Sequence, residues 1–363
     1  MNVVFIMLFF KTGGGTRVIV ELANALAKSG HTVDILFPAI SDGRPTFSLE
    51  PDVRVVTVGR SAKNAFSAII NIAKMFWFVR RERKESTLII TDPMLSLLSI
   101  FLRRKRAYRF LQADDYIIFD DLHLLKSKLV LRVYKTLTRI SYRYRMHFLF
   151  NSRFVWESFL AVSGRDDVPC LLVHPGVERT VFFNRNVRCS DELNICLVGR
   201  AHPWKGFAEF VEAWKGLKAV VGHRITNIFV ISSDNLSQFD CRDFTLVKPS
   251  SDAQIADVYN HSHIFVSTSW WEGFGLPPLE AMSCGCAVLV TNTGGVHEYA
   301  VSGRNCLMCE PKSIPDLQEK LLILISDGDL RKIIAEEGMI TARQFGWGHT
   351  ADQFLRIIEH KTS

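Results

Sequence analysis

Two series of alternating apolar runs and helical segments constrain the fold of this chain more than any other feature. The first series begins with an apolar run at residues 3–9, a glycine-rich loop, a segment of helical spacing at 16–29 and a second apolar run at 32–37. Another apolar run at 146–150 predicts a late strand of the same series. Short strands that alternate with helices indicate a parallel sheet covered on both faces.

The second series opens with an apolar run at 193–198 and a helical segment at 207–217. Further strands are predicted at 227–231, 244–247, 263–266 and 287–291. A polar stretch without clear periodicity separates the series, and we place a linker at 178–191. A length of 363 residues suits two domains. The predicted fold class is therefore α/β, with two Rossmann-like domains at 1–177 and 192–345 and a ligand cleft between them.

The net charge of +7 averages two unlike halves. Residues 1–177 carry 26 Lys/Arg and 15 Asp/Glu, which gives +11, whereas residues 178–363 carry 18 and 22, which gives −4. An asymmetry of this kind is typical of a protein in which one half faces an anionic partner. The candidates are nucleic acid, a membrane surface and a phosphorylated substrate.

Cysteine usage and hydropathy indicate a reducing compartment. None of the eight cysteines lies in the first 169 residues, and several lie within apolar runs, so buried free thiols are expected rather than a disulfide framework. Cys306 and Cys309 have metal-like spacing but lack a second pair, so no metal site is predicted. The apolar residues 2–10 lack the basic region of a signal peptide, and the other apolar runs are too short to span a bilayer. A cytoplasmic or peripheral protein is expected.

The most informative stretch is 267–295, with the sequence STSWWEGFGLPPLEAMSCGCAVLVTNTGG. A strand should end near its start, and Pro277 and Pro278 fit the first turn of a helix because proline needs no donor there. The N–H groups at the start of that helix would form an anion site suited to a phosphate. Glu272 and Glu280 would repel a phosphate, so sugar hydroxyls are their expected partners.

Two further motifs supply cationic and backbone donors. Arg200 follows a predicted strand, and Lys205 precedes a predicted helix. The pair could hold a diphosphate, because the Arg200 guanidinium can donate two parallel hydrogen bonds and the Lys205 ammonium supplies a point charge. In the first domain, the glycines at 13–15 would let the backbone approach an anion closely. That loop alone could equally be a tight strand-to-helix turn.

In combination, these motifs resemble the retaining GT-B glycosyltransferases of family 4, also known as group 1. The resemblance is strongest over 193–325 and looser over the first 40 residues. It implies that Arg200 and Lys205 hold the diphosphate of a nucleotide-sugar, UDP- or GDP-linked, and that no metal or other cofactor is required. It further implies that Glu272 binds hydroxyls of the transferred sugar and Glu280 those of the ribose. The remaining implied donor contacts are backbone amides of Gly14, Gly15, Gly273, Phe274, Gly275 and Leu276.

One departure from the family pattern concerns the acceptor side. Many relatives place a histidine at a strand end of the first domain, whereas the comparable segment here is LQADDY. Gln112, Asp114 or Asp115 could serve the sugar or the acceptor instead. The identity of any acceptor-side base therefore stays open.

Basic residues next to amphipathic segments predict a membrane contact. Apolar residues recur at helical spacing over 66–77 and precede basic residues at 80–84, and a second basic cluster comprises Arg103, Arg104, Lys105 and Arg106. This pattern suits an anionic lipid surface. The alternative is a core helix with a solvated basic end; nucleic acid is not expected, because no recognised binding motif accompanies the charge.

The predicted function is retaining hexosyl transfer from a nucleotide-sugar to a glycan or lipid-linked acceptor, in cell-surface polysaccharide or glycoconjugate synthesis at the inner face of a membrane. Family analogy also suggests that a C-terminal helix within 346–363 crosses back to the first domain. Two rivals remain: another GT-B enzyme, such as a nucleotide-sugar epimerase or a phosphorylase, and a non-enzymatic basic adaptor for membrane or nucleic acid.

Overall fold

The structure, a computed structural model, describes residues 1–11, 13–40, 47–102, 106–116, 128–189 and 191–360. The chain forms two compact units, of which the first comprises Met1–Pro175 together with the C-terminal segment from Trp347, and the second comprises Gly176–Gly346. The C-terminal helix packs on the first helix of the chain, within the first unit.

The first unit is built on a parallel six-stranded sheet. In chain order its strands are β1 Asn2–Ile6, β2 Thr32–Pro38, β3 Val53–Val58, β4 Thr87–Ile90, β5 Ala107–Leu111 and β6 His147–Phe150, and in space they follow the order β3-β2-β1-β4-β5-β6. Its first five described helices are α1 Gly14–Lys28, α2 Ala65–Glu82, α3 Pro93–Leu98, α4 Lys128–Tyr142 and α5 Arg153–Ser163.

The second unit repeats this topology. Its strands are β7 Asn194–Val198, β8 Asn227–Ile231, β9 Thr245–Val247, β10 Ile264–Ser267, β11 Ala287–Thr291 and β12 Leu307–Cys309, in the spatial order β12-β11-β10-β7-β8-β9. Its helices are α6 Phe207–Val221, α7 Asp252–His261, α8 Leu276–Ser283, α9 Ile314–Ser326 and α10 Gly328–Ala342, and α11 Trp347–His360 completes the first unit.

The predicted fold class is confirmed: both units are doubly wound α/β sheets with every strand pair parallel. Apolar strands buried on both faces produce the near-continuous apolar runs of the sequence. The expected absence of a disulfide framework agrees with the described residues, in which the eight cysteines form no disulfide bond and five of them are buried.

The ends of two elements differ from the expected boundaries. The first strand ends at Ile6 rather than at residue 9, and α1 begins at Gly14 rather than at residue 16. Gly14 and Gly15 therefore lie in the first turn of α1 and not in a separate loop. Residues 176–189 belong to the second unit, where the Arg188 guanidinium donates to the carbonyls of Tyr259, Ser262 and Cys284.

The order of the strands reverses once in each sheet. The reversal lies between β1 and β4 in the first unit and between β7 and β10 in the second. In open α/β sheets, ligands bind outside the carboxyl ends of the strands at this point. The segments that follow β1, β7 and β10 contain the candidate residues Gly14, Arg200 and Glu272.

Candidate active site

An ion pair lies at the reversal point of the second sheet. Lys205 follows β7 and Glu272 follows the neighbouring strand β10, and the Lys205 Nζ donates to Glu272 Oε1 at 2.6 Å. The Ser269 hydroxyl donates to the same oxygen at 2.7 Å. The lysine side chain is 29% exposed and the glutamate 18%, so both remain within reach of a ligand. Two predicted site residues thus lie together, and Ser269 is a third member that sequence reasoning missed.

The backbone holds the two loops of this pair together. Gly206 adopts a left-handed conformation with φ 66°, and a Cβ added there would lie 1.8 Å from the Thr268 carbonyl oxygen. The Thr268 hydroxyl in turn donates to the Lys205 carbonyl at 3.2 Å. Only glycine permits both this approach and this φ angle. Gly206 therefore sets the distance between Lys205 and the Glu272 loop.

Arg200 has a carboxylate partner that sequence reasoning also missed. Asp234, just after β8, accepts from Arg200 Nε at 2.9 Å and from the Ala201 N–H at 3.0 Å. Burial alone would raise the pKa of Asp234, but the Ala201 and Arg200 hydrogen bonds outweigh it and lower that pKa. The ionised aspartate fixes an arginine side chain that is 42% exposed. The position of Asp234 just after an apolar run is the sequence signal that could have identified it as a partner of Arg200.

The turn before α8 is held from two sides. Gly295 donates its N–H to the Glu272 carbonyl at 3.1 Å, and a Cβ on Gly295 would lie 2.3 Å from the Gly273 carbonyl. Gly275, at φ 85°, is the N-cap of α8 and accepts at its carbonyl from the Tyr299 hydroxyl at 2.6 Å. Phe274 is buried and packs against the Tyr299 ring. These contacts fix the direction of the backbone between Glu272 and the helix.

The predicted helix start is confirmed. The helix α8 begins at Leu276, with prolines in its first turn and no side-chain hydrogen bond to cap it. An N-terminus of this kind presents the positive end of the helix dipole. Glu280 lies within the same helix and is only 3% exposed. Its assignment to ribose hydroxyls stays a prediction, as do the amide contacts of residues 273–276.

Aromatic rings stiffen the loop that carries Lys205. His202 stacks on Trp204 with ring centroids 4.5 Å apart, and Trp204 stacks on Trp271 at 6.2 Å. The backbone N–H of Trp270 donates to the Trp204 carbonyl at 2.7 Å. Because Trp271 directly precedes Glu272, these stacked rings connect the loop that carries Lys205 to the loop that carries Glu272.

In the first unit, the structure brings two predicted residues together. Gly15 lies in the first turn of α1, and a Cβ on it would be 3.5 Å from Gln112 Oε1. That oxygen is buried and accepts no hydrogen bond from any residue that the structure describes. The Asn151 side-chain amide donates to the backbone carbonyl of Gln112 at 2.7 Å, which ties the ends of β5 and β6 together. Gln112 is therefore an acceptor of hydrogen bonds beside the glycine turn.

The two neighbouring carboxylates are engaged in protein contacts. Asp114 is buried and accepts from the Tyr116 N–H at 2.9 Å and from the Ser158 hydroxyl. Asp115 accepts from Nη2 of the fully buried Arg109. Burial raises the pKa of Asp115 to about 6, although the Arg109 charge opposes this shift. Their role toward the acceptor stays a prediction.

The raised pKa of Asp115 predicts a pH-dependent stability. The folded state holds this proton up to about pH 6, whereas the unfolded chain releases it near its ordinary value of 3.8. The folded state therefore binds more protons between these values, and its stability falls as pH rises through this window. From pH 5 to pH 7, we expect Asp115 to lower the free energy of unfolding by about 1 kcal/mol.

Urea unfolding of the wild type and Asp115→Asn at both pH values measures this effect. The difference in unfolding free energy between the two proteins should change by that amount from pH 5 to pH 7. A difference that is independent of pH would contradict the raised pKa.

Comparison with known proteins finds a family that is similar to the second unit. Residues 178–339 match the family model described as glycosyl transferases group 1. An uncharacterized glycosyltransferase of Methanocaldococcus jannaschii is 29% identical over 186 residues, which cover 49% of this chain and 50% of that protein. The N,N'-diacetylbacillosaminyl-diphospho-undecaprenol alpha-1,3-N-acetylgalactosaminyltransferase of Campylobacter jejuni is 24% identical over 272 residues, which cover 70% of this chain and 71% of that protein.

Solved structures share the fold along nearly the whole chain. Sucrose-phosphate synthase from Thermosynechococcus elongatus superimposes with a TM-score of 0.79 at 15% identity, covering 99% of this chain and 98% of that one. Anabaena HepE, solved in complex with UDP-glucose, gives a TM-score of 0.73 at 15% identity, covering 99% and 100%. The architecture is thus GT-B. The match over residues 178–339, together with the strand-end motifs around Lys205 and Glu272, relates the second unit to the group 1 glycosyl transferases.

Proposed function

We propose that the chain transfers a hexose from a nucleotide-diphosphate donor, a UDP- or GDP-sugar, to a glycan or lipid-linked acceptor, with retention of anomeric configuration and without a metal. The observation that carries this proposal is the Lys205–Glu272 pair at the reversal point of the second sheet. A cation and a carboxylate at one strand end match the two parts of such a donor, its diphosphate and its sugar.

The geometry supports a separate task for each side chain. Lys205 and Arg200 carry positive charge that would stabilise the diphosphate as it leaves. Glu272 is held through Oε1 by Lys205 and Ser269. A carboxylate has two oxygens, so Oε2 can accept hydroxyl hydrogen bonds from a sugar. An anchored carboxylate loses little freedom on binding, which favours precise positioning of the sugar.

The relatives support the donor and acceptor classes. HepE binds UDP-glucose in its solved structure, and the Campylobacter enzyme acts on a diphospho-undecaprenol acceptor according to its name. A role in cell-surface polysaccharide or glycoconjugate synthesis, at the cytoplasmic face of a membrane with peripheral association, follows from this likeness as part of the proposal. Gly14 and Gly15 stay the proposed phosphate contacts of the first unit.

A thermal-shift screen with UDP, GDP and ADP identifies the nucleotide. A ligand that binds only the folded state raises stability by RT ln(1 + [L]/Kd). Sugars linked to the stabilising nucleotide are then assayed for transfer, with and without EDTA, and the anomeric configuration of the product is read by NMR. No stabilisation by any nucleotide would overturn the proposal, whereas an inverted product or an EDTA-sensitive reaction would overturn its finer parts.

Asp234→Asn tests the role assigned to Arg200. Loss of the carboxylate charge should release the guanidinium, and we expect about a tenfold rise in the donor KM, because a hydrogen bond between charged groups is worth about 1.5–3 kcal/mol. The measurement is steady-state transfer at varied donor concentration. Asp240→Asn, which loses an exposed pair with Arg242, is the matched control. An unchanged KM in Asp234→Asn would contradict a positioning role.

A further inference from the structure

The helix α2 is apolar on two opposite faces. Met75 and Val79 are buried against the first sheet, whereas the opposite side exposes large apolar side chains: Phe66 is 72% exposed, Ile69 63% and Trp77 59%. At about 100° per residue, Phe66 and Trp77 point in nearly the same direction and Met75 points away from both. The sheet covers only one of these two apolar faces, and a large exposed apolar patch on a protein surface marks an interaction site.

The orientation of α2 is fixed by polar contacts. Asn64 caps the helix through a reciprocal pair of hydrogen bonds with Ser67. Asn71 is buried, and its amide donates to the carbonyls of Ala39 at 3.0 Å and Arg60 at 2.8 Å. Rotation of the exposed face toward the core would break these bonds. These hydrogen bonds therefore keep Phe66, Ile69 and Trp77 exposed in the folded first unit.

Basic side chains border this apolar face. The exposed cations near it are Lys63, Lys74, Arg80, Arg81 and Lys84, against the acidic Glu82 and Glu85. The Arg81 guanidinium lies over the Trp77 ring, 5.2 Å from its centroid. Arg106, also exposed, lies at the same end of the sheet, because its carbonyl accepts from the Leu88 N–H at 2.9 Å. The other predicted membrane residues, Arg103, Arg104 and Lys105, lie outside the described residues.

We propose that this surface, the α2 face defined by Phe66, Ile69, Ile70, Ala73 and Trp77 with its basic border, docks on an anionic lipid bilayer. An apolar face with aromatic residues and flanking Lys/Arg is the composition of a helix that lies in the membrane interface. The negative charge of anionic lipid attracts the Lys and Arg side chains of the border. None of the described helices is long and apolar enough to cross a membrane, so this contact is with the surface of the bilayer.

The α2 face also relates to the proposed reaction. Because α2 follows β3, its N-terminal end with Phe66 lies at the carboxyl edge of the first sheet, the edge that carries Gly15 and Gln112. A docked α2 would hold this edge at the lipid surface, where a lipid-linked acceptor is located. The choice of acceptor rests on the proposed function, whereas docking itself does not.

Vesicle co-sedimentation of the full chain tests the α2 face. The probes are phosphatidylcholine vesicles with and without phosphatidylglycerol, at low and high salt, without any nucleotide-sugar. We expect binding only with the anionic lipid and weakening with salt. Phe66→Ser/Ile69→Ser/Trp77→Ser should lower the partition coefficient by at least about 100-fold, given the transfer energy of three apolar side chains. Arg80→Gln/Arg81→Gln should lower it about 30-fold, because two charges that the anionic lipid attracts are removed.

Two controls make the result decisive. Val220→Ser/Ile333→Ser removes exposed apolar residues of the second unit and should leave binding unchanged, and nucleotide-induced thermal shifts verify that each variant is folded. The proposal is overturned if the wild type does not bind anionic vesicles, or if the triple variant binds them as well as the wild type does. A dimer in sedimentation velocity that the triple substitution dissociates would assign the face to a second copy and overturn it too. Vesicle binding without sugar transfer would instead reject the proposed function alone.

Discussion

Lys205→Ala is expected to lower the rate of sugar transfer by about 10²–10³, with the donor that stabilises the protein in the thermal-shift screen. The removed charge would act on the diphosphate as it leaves, and loss of one such contact costs about 2.7–4 kcal/mol of transition-state stabilisation. The substitution also removes one of the two hydrogen bonds that Glu272 Oε1 accepts and keeps the one from Ser269. Because the charge matters more in the transition state than in the bound donor, kcat should fall more than KM rises.

Lys215→Ala is the matched control for this experiment. Lys215 lies on α6 in the same unit, is 53% exposed and forms a surface pair with Glu212. Exposed pairs of this kind contribute little, so its transfer rate should equal that of the wild type. Equal rates for Lys205→Ala and Lys215→Ala, in proteins that are both folded, would show that Lys205 does not serve the leaving group.

Gly206→Ala should cause the largest loss of stability among the substitutions considered for the site. The new Cβ would lie 1.8 Å from the Thr268 carbonyl oxygen, and the backbone there has a φ of 66°. Left-handed strain costs about 1–2 kcal/mol, and forced movement of packed groups about 1–3 kcal/mol. We expect a decrease of about 2–5 kcal/mol in the free energy of unfolding, together with loss of transfer activity.

Gly303→Ala separates the two causes. Gly303 has a similar φ of 77°, but a Cβ there would meet no atom of the described residues within 4 Å. This control should lose only the strain component, about 1–2 kcal/mol, and retain activity. The free energies of unfolding of Gly206→Ala and Gly303→Ala are measured by urea unfolding at one pH. Similar losses in the two variants would contradict the close approach between Gly206 and Thr268.

The sequence by itself determined the alternation of strands and helices, since burial on both faces of a parallel strand leaves a continuous apolar run that periodicity reveals. It also located Arg200, Lys205 and Glu272 at strand ends, and the helix that begins beside Pro277. These are local properties, because turn glycines, helix-start prolines and apolar runs act on their own neighbours in the chain.

The tertiary structure alone decided which side chains meet. Lys205 and Glu272 are 67 residues apart in the chain, and Arg200 and Asp234 are 34 apart, so only the pairing of β7 with β10 and with β8 brings each pair together. Helical spacing likewise predicted α2, but both of its faces are apolar, and periodicity cannot tell a buried face from an exposed one. The packing of Met75 and the hydrogen bonds of Asn71 settle that choice, because they fix which side of the helix meets the sheet.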